Sequence, residues 1–492
     1  MGSGIAQVAA NAGHPVYLYD VQPEAAQRGC AAIERDLGAL VGRGKLDSQA
    51  AVAILERVTP VATLAEARDA ALAIEAVVED LAIKQALLRE LESVLGEHAI
   101  LASNTSSLSI TAMAAALKRR ERLAGMHFFN PAPRMKLVEI VSGLETGAAQ
   151  AACLHATARA WGKIAVHVKS TPGFIVNRVA RPFYAEAQRV LAEGAGEPAC
   201  LDAVLREGCG FPMGPFELMD FIGHDVNFAV TRSVFDACFA DRRYVPSLIQ
   251  QELVAAGRLG RKSGRGFYDY SEGAVRPLPR ELTPCEGRGR ITVVGDLGPA
   301  AALIARFEAA GIEVRRDAGS GRVGWIEIGE ARLALTDGRT ATRRAVEDDQ
   351  ANLVLFDLCL DYAATPRLTL APADPCGRGA FHDVVGTLQR AGFKVGVIDD
   401  VAGMLALRTI AMLVNEAAEV VLHGVASAAD VDAAMVHGTN YPLGGPLAWA
   451  DRLGAGPVTT ALRHLREHYG EERYRTSPLL QRKAFNGEPF HE

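Results

Sequence analysis

The stretches ASNTSSLSI (residues 102–110), GMHFFNP (residues 125–131) and MKLVEI (residues 135–140) decide the reading of this chain. They place a hydroxyl donor, Ser106, an imidazole, His127, and a carboxylate, Glu139, at the ends of separate apolar runs of strand length. A base that takes a proton from an alcohol needs those parts: an imidazole, an acid to orient it, and a donor to hold the reacting oxygen. Strand alternation sets Glu139 on the face of Leu137, which is apolar and so expected to be buried. A buried carboxylate without a partner is costly, which makes pairing with His127 the expected arrangement.

Outward from this segment, residues 1–168 alternate helix-like and strand-like stretches, as a parallel α/β sheet requires. Residues 2–12 read as a small-residue helix broken by Gly13, and 15–19 as a strand ending in Asp20. Residues 22–41 and 81–94 have helical apolar spacing, while 71–78, 99–102 and 164–168 are short apolar runs. After Ser170-Thr171-Pro172-Gly173, long helices continue to about residue 259, and the basic, glycine-rich GRLGRKSGRGFYDY (residues 257–270) reads as a closing strand. Residues 271–288, rich in Pro, Gly and Arg, read as a linker. A second α/β stretch opens with ITVVG at 291–295, where Asp296 and Pro299 interrupt any dinucleotide-binding glycine pattern, so a sheet kept for packing is expected.

The chain then repeats itself. Gly173/Gly403, Arg178/Arg408, Glu186/Glu416, Asp202/Asp432 and Pro212/Pro442 are identical at an offset of 230, and one inserted glycine later Asp220 matches Asp451. Such agreement across two helices and a turn marks a duplicated helical domain. The copies differ where chemistry would lie: Asn177 becomes Leu407, and the second α/β stretch has no NTSS and no HFFNP. The second half is therefore expected to be structural or substrate-shaping.

Composition excludes several classes of function. A net charge of −6 and a pI near 6.1 give no basic footprint for nucleic acid. The eight cysteines form no CxxC pair and no metal-like cluster, which suits free thiols in a reducing cytoplasm. No apolar run reaches the roughly 18 residues of a membrane-spanning helix, and no metal-ligand set is visible.

The ASNTSS and HFFNP segments, with the His127–Glu139 spacing, resemble the 3-hydroxyacyl-CoA dehydrogenase family, strongly over residues 1–270 and partially beyond. The expected fold is α/β plus all-α. A Rossmann-like doubly wound parallel sheet lacking its first strand (1–168) precedes a helical substrate and dimerisation-type domain (169–270) and the linker (271–288). A degenerate Rossmann-like α/β domain (289–398) and a second helical domain (399–485) complete it.

The resemblance implies NAD-dependent oxidation of (S)-3-hydroxyacyl-CoA to 3-oxoacyl-CoA, with His127 as base and Glu139, Ser106 and Asn177 beside it. It places cofactor contacts at Gly2, Asp20, Glu79, Lys84, Ser106, Asn130 and Lys262. Asp20 favours NAD over NADP, since a 2′-phosphate would meet its like charge. Among long, duplicated bacterial members linked to phenylacetate catabolism the implied substrate is 3-hydroxyadipyl-CoA, with 3-hydroxybutyryl-CoA, a fatty-acid metabolism substrate, as near rival. Single-unit relatives dimerise through the helical domain, so a duplicated chain is expected to form that interface internally, with further oligomerisation open.

Each residue also has a plainer reading. His127 alone would be a core histidine bonded to backbone, Ser106 part of an N-cap that Ser107 or Ser109 also fits, and Asn177 an inter-helix hydrogen-bond donor. Glu79 and Lys84 are also ordinary charges at a strand-to-helix junction. Arg43 and Lys45, within reach of coenzyme A phosphates on one reading, fit a solvated loop better.

The family pattern has a strand and two glycines ahead of the position matching Gly2. That strand is central in the order 3-2-1-4-5-6. Losing about 5–6 residues of it would leave amides and carbonyls unpaired at about 1–3 kcal/mol each, against the roughly 5–15 kcal/mol that holds a domain together. The expectation is that the working protein begins about 15–20 residues upstream. The alternatives are a decayed or domain-swapped protein, and a catalytically silent acyl-CoA-binding or structural protein.

Overall fold

The computed structural model describes residues 1–318 and 324–491 and divides into two compact units, Met1–Arg178 with His423–Thr439, and Val179–Leu422 with Asn440–Glu492.

The first unit opens with helix α1 (Gly2–Asn11), whose Ala6 and Ala10 pack against Ile33 and Leu37 of helix α2 (Pro23–Gly42). Strand β1 (Val16–Tyr19) pairs in parallel with β2 (Val58–Val61) as a separate two-stranded sheet. Strands β3 (Leu72–Glu75), β4 (Ile100–Ser103), β5 (Leu123–Phe128), β6 (Leu137–Ser142) and β7 (Ile164–Lys169) form a five-stranded sheet in that order. The sheet departs from the all-parallel expectation at one place: β5 and β6 run antiparallel. Only eight residues, 129–136, join these two strands, too few for the crossover that a parallel pair requires. Helix α3 (Leu81–Val94) follows β3, started by Asp80, whose Oδ1 accepts the Ile83 amide at 2.9 Å.

The helix Ala428–Thr439, from the second helical stretch of the sequence, belongs to this first unit. The amide of Lys169 donates to Val425 O at 2.9 Å. Gly438 allows the close approach, because a Cβ there would stand 2.8 Å from Leu137 Cδ2 and 3.0 Å from Val176 Cγ2.

In the second unit a seven-stranded mixed sheet carries a core of its own, built from Leu333, Val354, Phe356, Leu368, Leu370 and Val384 among others. Two helices from the duplicated stretches, α4 (Arg181–Ala192) and α5 (Ala406–Leu422), pack together there. Arg408 Nε meets Glu186 Oε2 at 2.8 Å, both fully buried, and Arg473 Nη2 and Tyr474 OH reach the same carboxylate at 2.6 and 2.9 Å. The repeat continues into Arg243 and Tyr244, 230 residues before Arg473 and Tyr474, and Tyr244 OH donates to Glu416 Oε1 at 2.5 Å. The two helical copies thus face one another within one chain.

Residues 257–270 are not the strand their composition suggested. They form a short turn, Arg261–Ser263, and isolated bridges between Gly260, Arg265 and Asp269. The reason is Asp220, a buried carboxylate that accepts the amides of Phe267 and Tyr268, each at 2.9 Å, in place of a neighbouring strand. Gly266 is required beneath it, because a Cβ would collide with that carboxylate.

Candidate active site

The antiparallel turn from β5 to β6 sets His127 opposite Glu139 in register. Opposed side chains in such a pair share a face, and here His127 Nδ1 lies 2.7 Å from Glu139 Oε2, with side-chain exposures of 7% and 1%. Glu139 is also bonded through its other oxygen: Oε1 accepts the amides of Ile175 and Val176 at 3.0 and 3.1 Å. These amides open the short helix Val176–Val179, which carries Asn177, so the carboxylate also satisfies otherwise orphaned helix donors. Phe129 and Phe174 flank the imidazole, with centroids 4.6 and 5.7 Å away. Because Nδ1 is committed to a carboxylate that can only accept, the ring's Nε2 is left as the proton acceptor.

Ser106 lies in the turn that follows β4. Glu79 Oε1 gathers this turn, accepting from Thr105 Oγ1 at 2.6 Å, the Ser106 amide at 2.9 Å, and the Ser107 amide and hydroxyl at 3.1 and 3.0 Å. Burial alone would raise the Glu79 carboxyl, but the Thr105 hydroxyl and the Lys84 cation outweigh it and hold the group below the usual carboxylate range. The Ser106 hydroxyl stands farther off, 3.4 Å from the same oxygen, which leaves it the freer of the two serine hydroxyls. The N-cap of the helix that follows is Ser109, one of the two serines that fitted that role.

The remaining expected cofactor residues divide. Gly2 starts α1, and a Cβ built on it would stand 3.9 Å from Ala76 Cβ, which puts the helix N-terminus beside the end of β3. Asp20 follows β1 as an exposed carboxylate, and Asn130 is exposed just after β5. Lys84 is different: its ammonium is buried behind Glu79, against Glu75 at 2.8 Å, and points away from solvent. Lys262 belongs to the second unit, where it pairs with Asp225 at 2.5 Å. Asn104 escaped sequence reasoning. Its Oδ1 accepts the Phe128 amide at 2.8 Å, tying the serine segment to the histidine strand, and its place inside ASNTSS was the available signal.

The second half lacks this chemistry for a visible reason. The offset of 230 continues through its sheet: Thr369 pairs with Gly396 as Glu139 pairs with Val166. Asp357 therefore stands at the position of His127, and Thr369 at that of Glu139. The Asp357 carboxylate takes over the helix donors, accepting the amides of Leu405, Ala406 and Leu407 at 3.0, 2.7 and 3.0 Å. Burial pushes it up to about 6 against the pull of those amides. One residue has absorbed the structural duty of the pair, and no imidazole remains.

A dinucleotide-type α/β sheet with an acid-braced imidazole beside a serine turn defines the alcohol dehydrogenation class. The chain belongs to the 3-hydroxyacyl-CoA dehydrogenase family: residues 1–171 match its NAD binding domain, and 173–270 and 403–489 its C-terminal domain. Residues 333–401 match the 3-hydroxybutyryl-CoA dehydrogenase reduced Rossmann-fold domain. Over 484 residues, 98% of this chain and 95% of the relative, it is 45% identical to 3-hydroxyadipyl-CoA dehydrogenase of Escherichia coli. A crystal structure of 3-hydroxybutyryl-CoA dehydrogenase from Escherichia coli matches with a TM-score of 0.90 at 44% identity, covering 99% of this chain and 96% of that one. A probable 3-hydroxybutyryl-CoA dehydrogenase of Bacillus subtilis is 44% identical over 272 residues, which is 55% of this chain and 94% of that protein. The chain is thus an NAD-dependent oxidoreductase acting on a CH–OH group. Among the described residues no helix is long and apolar enough to cross a membrane, and no group of His, Cys, Asp and Glu could hold a metal ion.

Proposed function

We propose that His127 is the general base in the oxidation of a 3-hydroxyacyl-CoA, on the strength of its buried 2.7 Å contact with Glu139. Nε2 takes the proton of the 3-hydroxyl as the hydride leaves C3, which converts the alcohol to a ketone. Glu139 holds the tautomer that leaves Nε2 free and stabilises the imidazolium once it forms. The Ser106 hydroxyl donates to the C3 oxygen, and Asn177, beside the Glu139-bound amides, is a second polar group for the substrate. Proton transfer to a placed side chain typically contributes about 10²–10⁴-fold in rate.

The residues fit NAD. The N-terminus of α1 at Gly2 offers unpaired amides and the positive end of a helix dipole to a pyrophosphate. Asp20 Oδ1 accepts the Gln22 amide at 2.9 Å, which leaves its other oxygen to accept ribose hydroxyls, while Glu79 and Asn130 line the strand ends, with Lys84 acting from behind. When bound, NAD supplies the acceptor for the hydride. NADH binding followed by fluorescence tests this fit, and failure to bind refutes it.

For the acyl group we infer 3-hydroxyadipyl-CoA, the substrate named for the Escherichia coli relative that is 45% identical over 98% of this chain, with 3-hydroxybutyryl-CoA, named for the solved Escherichia coli structure of the same length, as its rival. A panel of C4 and C6-dicarboxylyl thioesters decides it; equal kcat/KM for both defeats the dicarboxylate assignment. The free cysteines fit a cytoplasmic setting. In the same assay His127→Gln should lower kcat by at least about 10²-fold, and near-normal turnover rejects His127 as the base.

A further inference from the structure

Beneath the serine turn lies a buried ionic group that the reaction scheme above does not use. Glu75, the last residue of β3, has a side chain with 0% exposure. Its two carboxylate oxygens take the Lys84 ammonium at 3.1 and 2.8 Å, and they also accept the Ser103 hydroxyl and, at 3.2 Å, the Val77 amide. Lys84 itself is 1% exposed and reaches past Glu75 to Glu79 Oε2 at 3.4 Å. Glu79 in turn carries the hydrogen bonds to residues 105–107. The order of contacts is therefore Glu75, Lys84, Glu79, then the turn that bears Ser106.

A buried ion pair adds little net stability, because desolvating two charges offsets their attraction, and well-packed apolar residues often do as well. What such a pair does supply is a fixed position. Glu79 uses that, since its side chain is 36% exposed and the turn holds only Oε1, whereas Lys84 fixes the other oxygen, Oε2, at 3.4 Å. Lys84 comes from the first turn of α3, whose start is pinned by the Asp80 cap, so the cation is anchored at both backbone and charge.

We propose that Glu75 is a positioning residue for Ser106: through Lys84 it fixes the Glu79 carboxylate over the serine turn and so sets where the Ser106 hydroxyl points. This rests on the dehydrogenase reading, in which that hydroxyl holds the C3 oxygen.

The test uses the full chain as Glu75→Gln, as the double variant Glu75→Gln/Lys84→Gln, and as His127→Gln in parallel, with kcat and Tm measured for each. Glu75→Gln leaves Lys84 short of its main partner and should lower both. The double variant removes both buried charges, so Tm returns toward the parent value while kcat stays about ten- to a hundredfold low, as expected of a misplaced catalytic group. A double variant that regains both quantities, or loses both together, overturns the proposal in favour of a purely structural pair. An inactive His127→Gln beside a fully active double variant defeats the positioning role alone. A fully active His127→Gln defeats the dehydrogenase mechanism instead.

Discussion

Changing Glu139 to Gln separates orientation from charge at the proposed base. Glu139 accepts three hydrogen bonds through two oxygens, one from His127 and two from the amides of Ile175 and Val176. A glutamine has one oxygen and must choose. If the oxygen faces His127, the amide NH₂ confronts two backbone donors, and two buried N–H groups lose their acceptor at about 1–3 kcal/mol each. If the oxygen faces the backbone, every polar group stays bonded, with the glutamine NH₂ donating to Nδ1. The second arrangement wins by about 2–6 kcal/mol, at the expense of the tautomer: Nε2 now carries the hydrogen and cannot accept the substrate's proton. The comparable acid-to-amide change in a serine protease triad lowers kcat by about 10⁴ through the same wrong tautomer, equivalent to roughly 5 kcal/mol of transition-state stabilisation. NADH formation followed by absorbance should therefore show Glu139→Gln down by about 10³-fold or more, with Tm close to the parent. A folded variant that keeps kcat within about tenfold would refute the idea that Glu139 works by fixing the ring.

The other expectations concern selectivity, pH and assembly. Asp20→Ala removes the charge that a 2′-phosphate would meet, and the ratio of kcat/KM for NAD over NADP should fall by about tenfold or more, for roughly 1–4 kcal/mol of repulsion; an unchanged ratio places the discrimination elsewhere. Glu186 is buried, which would raise its carboxyl, yet Arg473 and Arg408 outweigh that and draw it down from 4.5 to about 2. Its stabilisation is thus complete above pH 4.5 and lost as pH falls toward 2, on the order of 3 kcal/mol. Glu186→Gln should flatten stability across that window in acid titrations, and an unaltered acid limb would assign it to other carboxylates. Because α4 and α5 already pair within one chain, light scattering combined with cross-linking should reveal no dimer joined through residues 171–259 of two chains, whatever assembly forms at other faces; such a dimer would contradict this.

Much of this protein was legible in one dimension. The helices at Gly2–Asn11 and Leu81–Val94 and the strand at Ile164–Lys169 fall where apolar spacing and local breakers put them, because those signals act over a few residues. The repeat was legible too, since an offset of identical residues needs no coordinates. The segment 257–270 misled because its partner is not a strand but Asp220, a carboxylate 47 and 48 residues before the two amides it accepts.

By itself the sequence determined the α/β-then-helix order, the duplication, and the residue types available for taking a proton from an alcohol. Tertiary structure decided that β5 and β6 run antiparallel, the register through which the expected His127–Glu139 pair meets, and that Lys84 is buried on Glu75 rather than turned to solvent. It also decided that Asp357, at the position of His127, caps a helix. The division has one physical cause. Helical and strand periodicity are set by neighbours along the chain, whereas strand direction, burial of charge and the fate of a helix's free amides depend on groups that meet only after the chain has folded.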